Sequence, residues 1–165
     1  MGNYLLTGAA GFVASRTAEL LIEAGHQVHG LDNLNEAYDV QLKLHRLELL
    51  QAKPGFSFQK MDIAEPSALE ELIGSGRNFD AVINLAARAG VRSSLEDPWE
   101  YFRTNLTGTL NLLEFCRRNG VPKFILASSS SVYGARAPLP TPESFDSSHP
   151  LQPYAASKKS AEVLC

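Results

Sequence analysis

Asn3-Tyr4-Leu5-Leu6-Thr7-Gly8-Ala9-Ala10-Gly11-Phe12 carries the reading that decides the fold. Asn3–Thr7 has the apolar character of a short strand, and the chain then crosses two glycines into a helical pattern running from Phe12 to about Ala24. Gly25 stands where a helix-terminating glycine belongs. A strand that turns over glycines straight into a helix is the setting of a phosphate-binding turn, because the backbone can approach a pyrophosphate whose charge meets the helix N-terminus. A glycine pair after a strand is equally an ordinary turn, so the next segment matters. His26–Leu31 reads as a second strand, and it ends at Asp32, 24 residues after Gly8. A carboxylate there accepts hydrogen bonds from the hydroxyls of an adenosine ribose and repels a 2′-phosphate, which favours NAD over NADP. The third fingerprint position holds Ala14 rather than glycine.

The same alternation continues outward. A helix is predicted near Asp39–Gln51, a third strand over Phe56–Met61 ending at Asp62, and a short helix from Pro66 to about Ile73. A fourth strand spans Asp80–Asn84, a long amphipathic helix runs from Pro98 to Asn119, and a fifth strand covers Lys123–Ala127. A Pro-rich loop at 138–153 leads to a last helix starting near Tyr154 and still running at Cys165, which reads as a chain cut within that helix. Five strands separated by helices predict an α/β fold, a doubly wound parallel sheet in the order 3-2-1-4-5, forming one nucleotide-binding domain over 1–165. Composition agrees: 165 residues, 44% hydrophobic and 20% charged, is a globular mixture for one domain. Fifteen basic against eighteen acidic residues, net charge −3, argue against a nucleic-acid partner. No run approaches a membrane span, and two cysteines without metal or redox spacing suit a reducing compartment, so a cytoplasmic location is expected.

Chemistry concentrates late in the chain. Tyr154 and Lys158 are one helical turn apart on one face, and Ser128–Ser131 follow the fifth strand, at the carboxyl edge where open parallel sheets bind ligands. A tyrosine hydroxyl titrates near 10 in water, and a neighbouring ammonium together with an oxidised nicotinamide favours the phenolate. Such a phenolate is a general base for an alcohol about to lose hydride. Taken singly, Tyr-x-x-x-Lys and a serine run are common structural features. Together at this edge they point to a dehydrogenase-type site.

Thr7-Gly-Ala-Ala-Gly-Phe12, Leu31-Asp-Asn-Leu34, Asn84-Leu-Ala-Ala87, Asn105-x-x-Gly108-Thr109, Ser128-Ser-Ser-Ser-Val-Tyr-Gly134 and Tyr154-x-x-x-Lys158 resemble the N-terminal half of an extended short-chain dehydrogenase/reductase of the NAD-dependent epimerase/dehydratase family, with its Rossmann-like fold. Within that family, Arg88-Ala-Gly-Val-Arg-x-Ser94 and Tyr38-Asp-Val-x-Leu-Lys43 are similar to UDP-glucuronate 4-epimerases. The resemblance implies that Gly8, Gly11, Phe12 and Val13 line the pyrophosphate of NAD, and that Asp32 serves its adenosine ribose, with Asn33 also at the cofactor. It also implies that Asp62 and Ile63 flank adenine and that Leu85, Ala86 and Ala87 pass beneath the cofactor, with Asn105 beside it. Tyr154 is then the base, Lys158 holds the nicotinamide ribose, and Ser129 supplies the catalytic hydroxyl. Ser130, Ser131 and Arg88 would touch a UDP-sugar substrate. The implied reaction is 4-epimerisation through a 4-keto sugar. Dehydration or uronate decarboxylation shares its first oxidation, although Ser130-Ser131 lacks the acid pair of dehydratases; a truncated NAD-binding module without catalysis is the third reading. Two departures stand out: Asn84 where the family often has histidine, and Arg88 near the cofactor. A homodimer through the 98–119 and 154–165 helices is the implied assembly.

Overall fold

A computed structural model describes residues 1–165, the side chain of Leu69 apart. Its sheet is built from β1 (Asn3–Thr7), β2 (Gln27–Asp32), β3 (Phe56–Lys60), β4 (Ala81–Asn84) and β5 (Phe124–Leu126). The strands are all parallel, in the order β3-β2-β1-β4-β5. The predicted order therefore holds. Thr7 pairs with Leu31 on one side and Asn84 on the other, so the ends of β1, β2 and β4 lie level at one edge.

Alternation along the strands sends successive side chains to opposite faces. Leu5, Leu31 and Val82 pack with Leu72 of α3 (Pro66–Gly74) and with Leu112 and Phe115 of a helix on that face. Leu6, Val28 and Ile83 pack with Ala14 and Ala18 of α1 (Phe12–Glu23) and with Leu50 of α2 (Val40–Gln51). Both faces are thus covered, as a parallel sheet requires.

Local signals set the helix limits. Asp39 caps α2 by accepting the N–H of Gln41 at 2.9 Å, Pro66 opens α3, and Gly25 and Gly120 follow α1 and the helix ending at Asn119 in left-handed conformations. The stretch 98–119, predicted as a single helix, is subdivided. It runs as α5 (Pro98–Phe102), a π-helical turn (Arg103–Thr107) and α6 (Gly108–Asn119), after a short α4 (Ser93–Glu96). One wide turn slips the helical register and buries the polar Thr104 and Asn105 on the inner side. A 3₁₀ turn (Ser130–Tyr133) and α7 (Pro153–Leu164) complete the order. Among the described residues no helix is long and apolar enough to cross a membrane.

Candidate active site

Gly8 fixes the floor of the cleft. Its φ is +70°, and a Cβ there would lie 2.9 Å from the backbone of Ala86, so a side chain is excluded by conformation and by space. The first turn of the chain and the segment after β4 therefore meet backbone to backbone. Thr7 secures that approach: its hydroxyl accepts the Ala86 N–H at 3.1 Å and donates to Asn84 Oδ1 at 2.6 Å. Asn84 passes the chain on through Nδ2 to Thr109 Oγ1 at 3.1 Å, and Thr109 donates to the Asn105 carbonyl at 2.7 Å.

The cleft above this floor is lined by Gly8, Gly11, Asp32, Asn33, Asp62 and Ile63, with Leu85, Ala86 and Ala87 opposite. Nine residues expected at the cofactor are thereby brought to one place. Asp32 accepts the Leu34 N–H at 2.8 Å and the Ala10 N–H at 3.2 Å, which anchors its carboxylate across the β1 and β2 ends. Asn33 spends its amide on Asp62 at 3.3 Å. Asp62 is committed further: Arg103 reaches it through both Nη atoms at 3.1 Å and the Ala64 N–H donates at 2.9 Å. Burial works to raise the Asp62 pKa, but these donors outweigh it and hold the carboxyl below the usual carboxylate range. Phe12 and Val13 are exposed at the start of α1 and do not line this cleft.

The second half of the site lies on α7 and the segments it touches. Asn105 Nδ2 donates to Ser157 Oγ at 2.9 Å and to the Arg88 carbonyl at 3.1 Å, while Asn105 Oδ1 accepts the Arg88 N–H at 2.8 Å. The π turn thus supplies one buried amide that registers α7 against the segment after β4. Tyr154 packs edge-on to the buried Tyr101 ring, 6.1 Å between centroids. Lys158 is buried, burial lowers its pKa, and the charge of Glu162 acts in the opposite direction. No hydrogen bond engages the Lys158 ammonium among the described residues. Glu162 joins α7 to the loop after β5 through Ser128, and it also pairs with Lys159 at 3.0 Å. Ser129 caps the 3₁₀ turn by accepting the Ser131 N–H at 3.2 Å, with Ser130 exposed beside it.

These features fit a dinucleotide. The cleft has a glycine floor at a helix start and an anchored carboxylate at the end of β2, and α7 carries the buried Lys158, whose ammonium makes no hydrogen bond among the described residues. Sequence reasoning left Lys43, Asn35 and Tyr38 unassigned although all three line the cleft. The available signal was Lys43 in step with the buried Leu47 and Leu50 on α2.

A doubly wound nucleotide-binding sheet with a Tyr-x-x-x-Lys helix at its carboxyl edge defines the class. Residues 4–165 match the model of the NAD dependent epimerase/dehydratase family, and the chain belongs to that family. It is 51% identical over 164 residues to a UDP-glucuronate 4-epimerase of Thermodesulfobacterium geofontis, covering 99% of this chain and 50% of the relative. It is 40% identical to a probable UDP-glucuronate 4-epimerase of Rhizobium meliloti, covering 98% and 47%. Among solved structures it is similar to the UDP-glucuronic acid 4-epimerase of Bacillus cereus in complex with UDP-glucuronic acid and NAD. The TM-score there is 0.86 at 35% identity, over 99% of this chain and 51% of that one. The chain spans about half the length of the curated relatives it matches. The cofactor of this family is NAD.

Proposed function

We propose that this chain is the cofactor-binding part of a UDP-glucuronate 4-epimerase working through a 4-keto sugar. The observation that carries the reading is α7: Tyr154 one turn from a buried Lys158 whose ammonium makes no hydrogen bond among the described residues, next to the serine loop after β5. Bound NAD supplies the acceptor, and later the donor, of the C4 hydride. Tyr154 takes the proton of the sugar C4 hydroxyl as the hydride leaves C4, and the same phenol returns the proton once the sugar has turned over. The Lys158 ammonium, one helical turn further along α7, is available to the nicotinamide ribose. Ser129 orients the C4 oxygen, with Ser130 and Ser131 against the sugar.

Arg88 takes the uronate carboxylate, since a guanidinium binds a carboxylate with paired donors. Its backbone is held on both sides by Asn105, while its side chain makes no hydrogen bond or ion pair among the described residues. The exposed Trp99, Leu110 and Val163 on α5, α6 and α7 support pairing of two copies through these helices, which sedimentation of the natural polypeptide tests.

The deciding experiment is Tyr154→Phe in the natural polypeptide, with UDP-glucuronate as substrate and its C4 epimer followed by NMR. Activity should fall at least ~10²–10⁴-fold, the usual size of an acid–base contribution, while NAD affinity stays nearly unchanged. Activity above about a tenth of the original would overturn the tyrosinate mechanism.

A further inference from the structure

The acid that favours NAD does not stand alone at the end of β2. Lys43 of α2 is 5% exposed and Asp32 8% exposed, and Lys43 Nζ lies 3.7 Å from Asp32 Oδ1. That gap is too long for a hydrogen bond. The ammonium instead donates to Asn35 Oδ1 at 2.9 Å and sits 5.1 Å from the centre of the Tyr38 ring. An ammonium has three protons to donate, and two of those on Lys43 have no protein acceptor among the described residues. Asp32, Asn35, Tyr38 and Lys43 all line the cleft. Arg46, on the same helix, donates to the Tyr38 hydroxyl at 3.1 Å, with its guanidinium carbon 5.8 Å from the Phe12 ring centre.

Charge repulsion alone therefore does not describe how this cleft discriminates. Asp32 and Lys43 together are neutral, and the other carboxylate of the cleft, Asp62, is paired with Arg103. We propose that Lys43 is a cofactor-specificity residue. Paired with Asp32, it offsets part of the repulsion that the carboxylate exerts on a 2′-phosphate, while Asp32 remains the acceptor for the ribose hydroxyls. With the charge of Asp32 removed, it becomes the donor that binds a 2′-phosphate.

The test is calorimetric titration of the nucleotide-stripped natural protein with NAD and with NADP. It compares wild type, Asp32→Asn, Lys43→Met, Lys43→Arg and the Asp32→Asn/Lys43→Met pair. Asp32→Asn should narrow the preference for NAD over NADP by at least about tenfold, as one lost repulsion and one freed charge-assisted contact imply. Adding Lys43→Met should restore that preference by a similar factor. Lys43→Met alone should widen it, since the carboxylate is then uncompensated, while Lys43→Arg should keep it near wild type. NADP binding to Asp32→Asn should also weaken as salt is raised. The proposal is overturned if the double variant keeps the ratio of Asp32→Asn, or if Lys43→Met leaves the ratio of wild type. Should Asp32→Asn fail to fold, the Lys43→Met and Lys43→Arg ratios decide the matter. Affinity for the two nucleotides is read without turnover, so the outcome is independent of the epimerase reading.

Discussion

Asn84 offers a measurable link between the core and the site, and replacing it by Ala breaks that link at a known place. Its amide is 2% exposed and joins two hydroxyls, accepting from Thr7 at 2.6 Å and donating to Thr109 at 3.1 Å. Removal leaves the two threonines in different positions. Thr109 still donates to the Asn105 carbonyl, so it loses only an accepted bond, worth about 0.5–1.5 kcal/mol. Thr7 still accepts from the Ala86 N–H, but its buried proton has no acceptor left, which costs roughly 1–3 kcal/mol. Asn84→Ala should therefore destabilise by about 2–4 kcal/mol, less where a water enters the polar gap. The assay is equilibrium unfolding in urea, read as a shift in midpoint at constant slope. Combining it with Thr7→Val isolates the pair, and residues in one network should show a coupling of at least ~0.5 kcal/mol. Additive losses in the double variant would refute the idea that the 2.6 Å bond carries the effect.

Two further outcomes follow from single positions. His29 is buried between Ser57 Oγ at 2.8 Å and Gln59 Oε1 at 3.2 Å, and burial lowers its pKa with Arg77 adding to the effect. The unfolded chain then binds a proton that the folded one does not, so stability should fall as pH drops below about 6.5, the ordinary histidine value. Urea midpoints between pH 7.5 and 5 check this, and His29→Gln should flatten the slope. Gly8→Ala places a side chain at φ +70° against the Ala86 backbone, so it should cost more than ~1–2 kcal/mol and weaken NAD binding measurably by titration calorimetry.

The strand order and the glycine turn were legible because parallel strands are short apolar bursts and because Gly8 and Asp32 fall in register at their ends. The π turn was not. A helix that slips by one residue keeps its apolar face on either side of the slip, so 98–119 reads as continuous while Thr104 and Asn105 turn inward. Lys43 was hidden for a related reason. A lysine on a helix reads as solvated, and only its spacing with Leu47 and Leu50 places it on the inner face. Asp62 was read from its position after β3, where it does line the cleft. That its carboxylate is already occupied by Arg103 and Asn33 depends on residues 41 and 29 positions away, which no local pattern records.

The polar chain through Asn84 explains why these distant pieces act as one site. A parallel sheet buries both faces in hydrocarbon, so a hydrogen-bonded side chain inside it has to be satisfied within the protein. Here the satisfaction runs along one line, from the Ala86 N–H through Thr7, Asn84 and Thr109 to the carbonyl of Asn105. The amide of that same Asn105 binds Arg88 and Ser157. The floor of the cofactor cleft, the segment carrying Arg88 and the helix carrying Tyr154 and Lys158 are thereby tied to a single π turn. A packed core resists small displacements, so a shift of any one of these elements must strain the others. Apolar contacts alone, being non-directional, would hold the layers together without fixing α7 in rotation about its axis. The directional bonds from Asn105 to Ser157, one residue before Lys158, and from Ser128 to Glu162 are what oppose rotation of α7.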